Sequence, residues 1–462
     1  MPKQIRFIAT TVVAMVLALA GLFQPPASST QQSPQASTTS ARNAALIAAT
    51  SDVLKETSEI RQLPVLRAVQ SSIQSRPEIE RMLMVNLDEE TTPAQMRAAE
   101  VTLKRLGLAP PDFQYRALIL RVLTEQVAGY YDPKTGEFHL ADWIDLDGQR
   151  PIMAHELTHA LQDQHFNLRR FEHWPKGDSD AELAAHALIE GDATLAMAQY
   201  VTNNPLRALA FLKSLGTTGM TSQELDKAPR ALRETLLFPY QEGINWTSNL
   251  YKHGGWDRVS KAFAELPQST EQILHPEKYF AHEAPVKVSL PDIASVLNNS
   301  ERLPVRSVPP ASGAGSSTPV GWKRLDYDVE GEWGFYLILD EFLKSPAESR
   351  RASAGWGGDR FAVYEGPKGE VLFASLSTWD TENDAREFFD AYVKRTELRY
   401  PSAAQLNLAD PQDRTSELET RDRKSFQTSA GRVTIELRGN RVAVVEGLPD
   451  RTDPGTLLRA LW

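Results

Sequence analysis

The stretch IMAHELTHALQDQ, Ile152–Gln164, sets two histidines four residues apart with a glutamate directly after the first. An α-helix turns once per 3.6 residues, so His155 and His159 share one face. Both imidazoles can then reach one ion at about 2.0–2.1 Å. Glu156 projects about 100° further round the helix. It stands beside the ion, where a base must be to take a proton from an activated water. Ile152, Met153, Leu157, Ala160 and Leu161 make this helix largely buried. Two histidines and a glutamate are costly to bury without a partner, and zinc is the partner this pattern suits.

A catalytic zinc keeps three protein ligands and one open position. The chain has no cysteine, so the third ligand must be His or a carboxylate. Glu190, in HALIEGDATLA, lies among Leu188, Ile189, Ala193 and Leu195, where a carboxylate needs compensation. Gly191 next to it lets two helices approach closely. Glu182 and Asp192 are rival ligands, and His186, one turn before Glu190, is a candidate to support a ligand from behind. An oxyanion formed during hydrolysis needs a further donor. Tyr240 and His275 are the first candidates, with His253 and Tyr279 in reserve.

His155-Glu156-Leu157-Thr158-His159 followed by Glu190-Gly191-Asp192-Ala193 resembles the gluzincin branch of zinc metallopeptidases, thermolysin-like in its ligand set. The resemblance covers roughly residues 127–200. It implies that the two histidines and Glu190 bind Zn2+, that Glu156 is the general base, and that a β-strand above the helix pairs with extended substrate. Gly136–Leu140, GEFHL, is the stretch expected to form that edge strand. Two features depart from the family: the gap from His159 to Glu190 is longer than in thermolysin, and Thr194 stands where an acid usually follows the third ligand.

The remaining sequence sets the frame. A chain of 462 residues, 41% hydrophobic and 24% charged, is ordinary globular material long enough for several domains. The net charge of −10 argues against a nucleic-acid partner. Lys3 and Arg6, the apolar run Phe7–Phe23 and the small residues Ala18 and Ala20 read as a secretory signal peptide, 1–23. Left uncleaved, it would be a membrane tether. A Ser/Thr/Gln/Pro-rich linker is expected over 24–40 and a Pro/Gly/Ser-rich one over 303–319. Between them, 41–302 is expected to be a mainly helical zincin-like domain with a β-hairpin around Asp132–Gly136. Ser51 is read as a helix cap, and Thr92, Pro93 and Gly107 as the start and stop of another helix. The region before the hairpin is expected to be part of the catalytic lobe, not a pro-segment. Residues 320–462 are expected to form a smaller α+β domain: helices at GFYLILDEFL and TENDAREFFDAYVKR, hairpins at RFAVYEGPKGEVLFASLS and RVTIELRGNRVAVVEGL, and a tight turn at GWGGDR.

These readings lead to a secreted or periplasmic α+β protein that hydrolyses peptide bonds in a peptide or protein substrate. The alternative is an extracytoplasmic binding protein with a degenerate or structural zinc site. Intact Glu156 favours the first, because a structural site needs ligands but no base.

Overall fold

The computed structural model describes residues 38–127, 129–143, 149–172, 174–209, 223–300, 321–406 and 421–462. The expected signal segment, the first linker up to residue 37 and the linker over 303–319 lie outside the described residues. The fold is mixed: helices dominate up to Ser300 and one large sheet dominates from Lys323.

Helix α1 (Thr38–Arg61) is longer than the sequence pattern suggested, and Ser51 lies inside it instead of capping it. The run Ala44-Ala45-Leu46-Ile47-Ala48-Ala49 is built largely of strong helix formers and carries the helix through. After α1 the chain forms a strand that the sequence reading missed, β1 (Gln70–Gln74). Helices α2 (Arg76–Glu90), α3 (Pro93–Leu106) and α4 (Tyr115–Gln126) follow. Thr92 caps α3 in a capping box with Gln95, and Gly107 ends it in the left-handed conformation, φ 77°.

The hairpin forms as expected, with β2 (Gly129–Asp132) antiparallel to β3 (Glu137–Ala141). Its role as a sheet edge is reversed, however. β1 adds to the far side of β3 in parallel, Ser72 opposite His139, so the order is β1-β3-β2. GEFHL therefore lies in or next to the central strand, and β2 is the edge beside the HExxH helix.

That helix is α5 (Arg150–Phe166), with every side chain from Pro151 to Asp163 buried. It packs against α1, β2 and α6 (Ser179–Thr202). Helix α6 in turn packs along α7 (Arg230–Ala262). Pro239 lies inside α7 without ending it, and Gly254-Gly255 kink it. Two short helices, α8 (Thr270–Leu274) and α9 (Pro276–Phe280), lead towards the second half.

From β4 (Lys323–Asp328) and α10 (Gly331–Leu343), the chain builds a seven-stranded antiparallel sheet. Its strands are β4, β5 (Trp356–Glu365), β6 (Val371–Trp379), β7 (Ala404–Gln405), β8 (Arg421–Thr428), β9 (Gly431–Arg438) and β10 (Arg441–Leu448). Helices α11 (Glu382–Arg399) and α12 (Pro454–Leu461) complete it. Side chains alternate across the sheet: Phe361, Val363, Val442 and Val444 join the main core, which continues into α3, α6 and α7. Ala362, Tyr364, Ala443 and Val445 face a second core shared with Leu457, Leu458 and Leu461. Both faces are covered, which is why these strands read as continuous apolar runs. GWGGDR is not a turn. It opens β5, with a bulge between Trp356 and Gly358.

A buried ionic knot ties the two halves. Glu446 of β10 pairs with Arg395 and Arg399 of α11, and Tyr392 donates to it at 2.6 Å. The same two arginines donate to the carbonyls of Leu106 and Arg105, the free C-terminal carbonyls of α3. Burial works against the carboxylate, yet Arg395, Arg399 and Arg105 outweigh it and hold its pKa at about 2 against an ordinary 4.5. The folded pKa is depressed, so this contribution is full above 4.5 and is lost as pH falls towards 2. It amounts to about 3 kcal/mol. Glu446→Gln should destabilise the fold by about 3–5 kcal/mol near neutrality. In denaturant melts, the gap between the two proteins should narrow as pH is lowered through that window. A gap that stays constant would show that Glu446 does not titrate as described.

Candidate metal centre

The site is assembled where α6 crosses α7. Gly191 and Gly243 face each other at the crossing: a Cβ on Gly191 would lie 2.2 Å from the Gly243 carbonyl oxygen, and one on Gly243 would lie 2.4 Å from the Ala187 oxygen. Only two glycines permit this approach. Glu190 precedes Gly191 on α6, and Tyr240 stands three residues before Gly243, on the same face of α7. The crossing therefore brings Glu190 and Tyr240 together over the face of α5 that carries His155 and His159.

The three expected ligands meet. His155 Nε2 lies 3.1 Å from Glu190 Oε2 and 3.2 Å from His159 Nε2, and His159 Nε2 lies 3.5 Å from Glu190 Oε2. Two bonds of about 2.05 Å at a tetrahedral angle subtend about 3.3 Å, so this triangle matches one face of a zinc tetrahedron. The other carboxylate oxygen, Glu190 Oε1, is buried without a hydrogen-bond partner. An orphaned carboxylate oxygen and two converging imidazole nitrogens fit a cation.

The electrostatics agree. His155, Glu156, His159 and Glu190 are only 1–2% exposed. Burial pushes Glu156 up to about 8, with the Glu190 carboxylate adding to the rise. Burial would raise Glu190 too, but the two imidazoles bring it below its ordinary value. Burial likewise disfavours charge on His159, yet Glu190 and Glu156 outweigh it and hold its pKa at about 9. His155 moves the other way, lowered by burial and by His159. A cation binding there would compete with a proton on His159.

Glu156 is aimed by an unexpected partner. The backbone N–H of Tyr131, on the edge strand β2, donates to Glu156 Oε2 at 2.9 Å. Tyr240 is also at the site. Its ring stacks on His155 with centroids 6.1 Å apart, and burial together with the Glu190 and Glu156 carboxylates raises its hydroxyl pKa well above the ordinary value.

The other expected residues have other partners. His275 Nε2 lies 3.0 Å from Glu332 of α10, which with Glu277 raises its pKa, so it serves the junction between the two halves. Tyr279 donates to the Glu265 carbonyl, and His253 pairs with the Asn249 carbonyl. Asp192 is bound by Arg61 and is not one of the three converging ligands. Glu182 and His186 are buried on α6 outside that group. A second acidic group, Glu271, Glu283 and Asp380, already holds an ammonium: Lys278 Nζ lies 2.7, 2.7 and 2.5 Å from the three.

Sequence reasoning missed Tyr131, Gln162 and Arg61. Gln162 was the most accessible of them, because it lies three residues after His159 on the same helical face. Tyr131 acts through its backbone, and Arg61 is 131 residues from its partner Asp192; neither leaves a local signal.

Among known proteins, a family described as a domain of unknown function (DUF8575) matches residues 318–457. That match covers the sheet half and none of the residues of the metal centre. No curated protein and no solved structure matches the chain.

The crossing gives a direct test. Gly243→Ala forces a methyl group onto backbone atoms that cannot rotate away. It should cost about 1–3 kcal/mol and reduce metal uptake by moving Glu190. A variant with the wild-type Tm and metal content would show that the glycine contact does not set the site.

Proposed function

We propose that this chain is a zinc-dependent metallopeptidase with a gluzincin ligand set, acting outside the cytoplasm on a peptide or protein substrate. The observation that carries this reading is the convergence of His155, His159 and Glu190 beside a glutamate that is not a ligand, Glu156. His155, His159 and Glu190 would hold the ion. Bound there, zinc supplies a Lewis acid and brings the pKa of a coordinated water towards neutrality.

The chain's own groups do the rest. Glu156, with one oxygen fixed by the Tyr131 N–H, takes a proton from the attacking water and passes it to the leaving amine. Burial raises its pKa, and a cation held by the three ligands would offset that rise and leave the carboxylate free to accept the proton. Tyr240 keeps its proton at neutral pH and would be the donor to an oxyanion. The edge strand β2 supplies the backbone beside which an extended substrate would lie. The longer gap between His159 and Glu190 leaves room for the turn that leads into α6.

One observation favours a second reading, a structural zinc site in an extracytoplasmic binding protein: the ligands and Glu156 are all buried, as in a closed site. Two variants separate the readings. Glu190→Ala should lose the zinc that the wild-type protein carries at about one equivalent, measured by mass spectrometry. Glu156→Gln should keep the zinc and lose peptide hydrolysis by about 10²–10⁴-fold. A wild-type protein that binds zinc but cleaves no peptide library would establish the structural reading. One that binds no zinc even after loading would end both.

A further inference from the structure

Behind His159 lies a chain of hydrogen bonds that starts on the N-terminal helix. Arg61, the last residue of α1, grips Asp192 with two donors: Nε to Oδ1 at 2.5 Å and Nη2 to Oδ2 at 3.1 Å. Its guanidinium is pinned from the sides by Ser260 Oγ at 3.1 Å and by the Trp256 ring at 4.5 Å. Asp192 Oδ2 accepts from Gln162 Nε2 at 2.9 Å, and the same amide nitrogen donates to the Ile189 carbonyl at 3.0 Å. Gln162 Oε1 then faces His159 Nδ1 at 2.9 Å. Arg61, Asp192 and Gln162 are fully buried.

The direction of each bond follows from chemistry. Arg61 can only donate, so the Asp192 oxygens accept. Asp192 and the Ile189 carbonyl are both acceptors, so only the NH2 end of Gln162 can face them. The amide cannot flip without setting its oxygen against two other oxygens. The end left for His159 is therefore an acceptor, and Nδ1 must carry a proton to meet it. The lone pair of a neutral imidazole then sits on Nε2, the nitrogen that faces His155 and Glu190.

We propose that Arg61, acting through Asp192 and Gln162, fixes the proton of His159 on Nδ1 and so presents Nε2 as a metal ligand. Arg61 is a positioning residue, and helix α1 is part of the metal centre. The proposal rests on the metallopeptidase reading for its purpose, but its hydrogen-bond polarity holds with or without an ion. It also explains a buried arginine that no surface role requires. A chain cut between α1 and α5 and then separated would lose this support.

The test combines two measurements. Long-range proton–nitrogen spectra of protein labelled with ¹⁵N-histidine, recorded at alkaline pH on the neutral imidazole, report which nitrogen of His159 carries the proton. Chelator competition reports zinc affinity for wild type, Gln162→Met and the double variant Arg61→Leu/Asp192→Leu. The double variant removes both buried charges together, which spares the fold the cost of an unpaired ion; circular dichroism checks that it folds. The expected result is a protonated Nδ1 in the wild type and zinc affinity about 10–100-fold weaker in both variants. A bare Nδ1 on wild-type His159 overturns the proposal, and so does wild-type zinc affinity in the folded double variant. If the wild-type protein takes no zinc, the metallopeptidase reading fails, while the His159 spectrum still decides the relay.

Discussion

The backbone contact between Gly191 and Gly243 is the constraint on which the site depends. Two helices of ordinary sequence keep their axes apart by the side chains between them. Here neither partner has a side chain, and α6 and α7 meet backbone to backbone. That brings Tyr240 within reach of Glu190 and turns Glu190 towards α5 instead of towards α7. A larger residue at either position would push α7 away and leave Glu190 facing a gap. The glycines thus do two things at once: they let a carboxylate be buried, and they aim it at two imidazoles.

The balance of charge around α5 supports the same conclusion. Asp163 is met by Arg67 and the Tyr131 hydroxyl, and Asp192 by Arg61. Among the described residues, neither Glu156 nor Glu190 forms an ion pair with Lys or Arg. At Glu446, as at Asp192, the buried acid is met by arginine. The two acids at the histidine pair face His159 instead, and against the effect of burial they raise its pKa. A dication at the same place would meet both the ligand carboxylate and the field that raises Glu156.

Much of this was legible in the sequence, and what failed has a common cause. The HExxH helix, Glu190 and the close approach at Gly191 were readable because helical spacing and apolar neighbours are local signals. Thr92, Pro93, Gly107 and the three hairpins were readable for the same reason. The errors are non-local. Gly136–Leu140 was taken as an edge because nothing in VQSSIQ announces that it will pair in parallel with a strand about 65 residues away. His275 was a reasonable donor by composition, but its partner Glu332 lies 57 residues further on. Arg61 was invisible because a helix-terminal arginine is ordinarily a solvated one. Sequence alone could show which groups needed partners at the site, but not which distant residues would supply them.

Among the described residues, the sheet half contributes no side chain to the group formed by His155, His159 and Glu190, yet that group's geometry runs through it. Helix α6 begins at Ser179, whose backbone N–H and hydroxyl both donate to Asp328 at the end of β4. One residue later, Asp180 accepts from the backbone and hydroxyl of Thr270, and that hydroxyl oxygen also accepts the N–H of Trp333 at the start of α10. The N-terminus of α6 is thus clamped between β4, α8 and α10. Glu190 lies eleven residues along the same rigid rod, about 16 Å away. A helix held at one end by the sheet and crossed near its middle by α7 has no freedom left to slide. The matched domain therefore acts on the site as a mount. Loosening Asp328 or Thr270 would change where Glu190 points without touching a ligand.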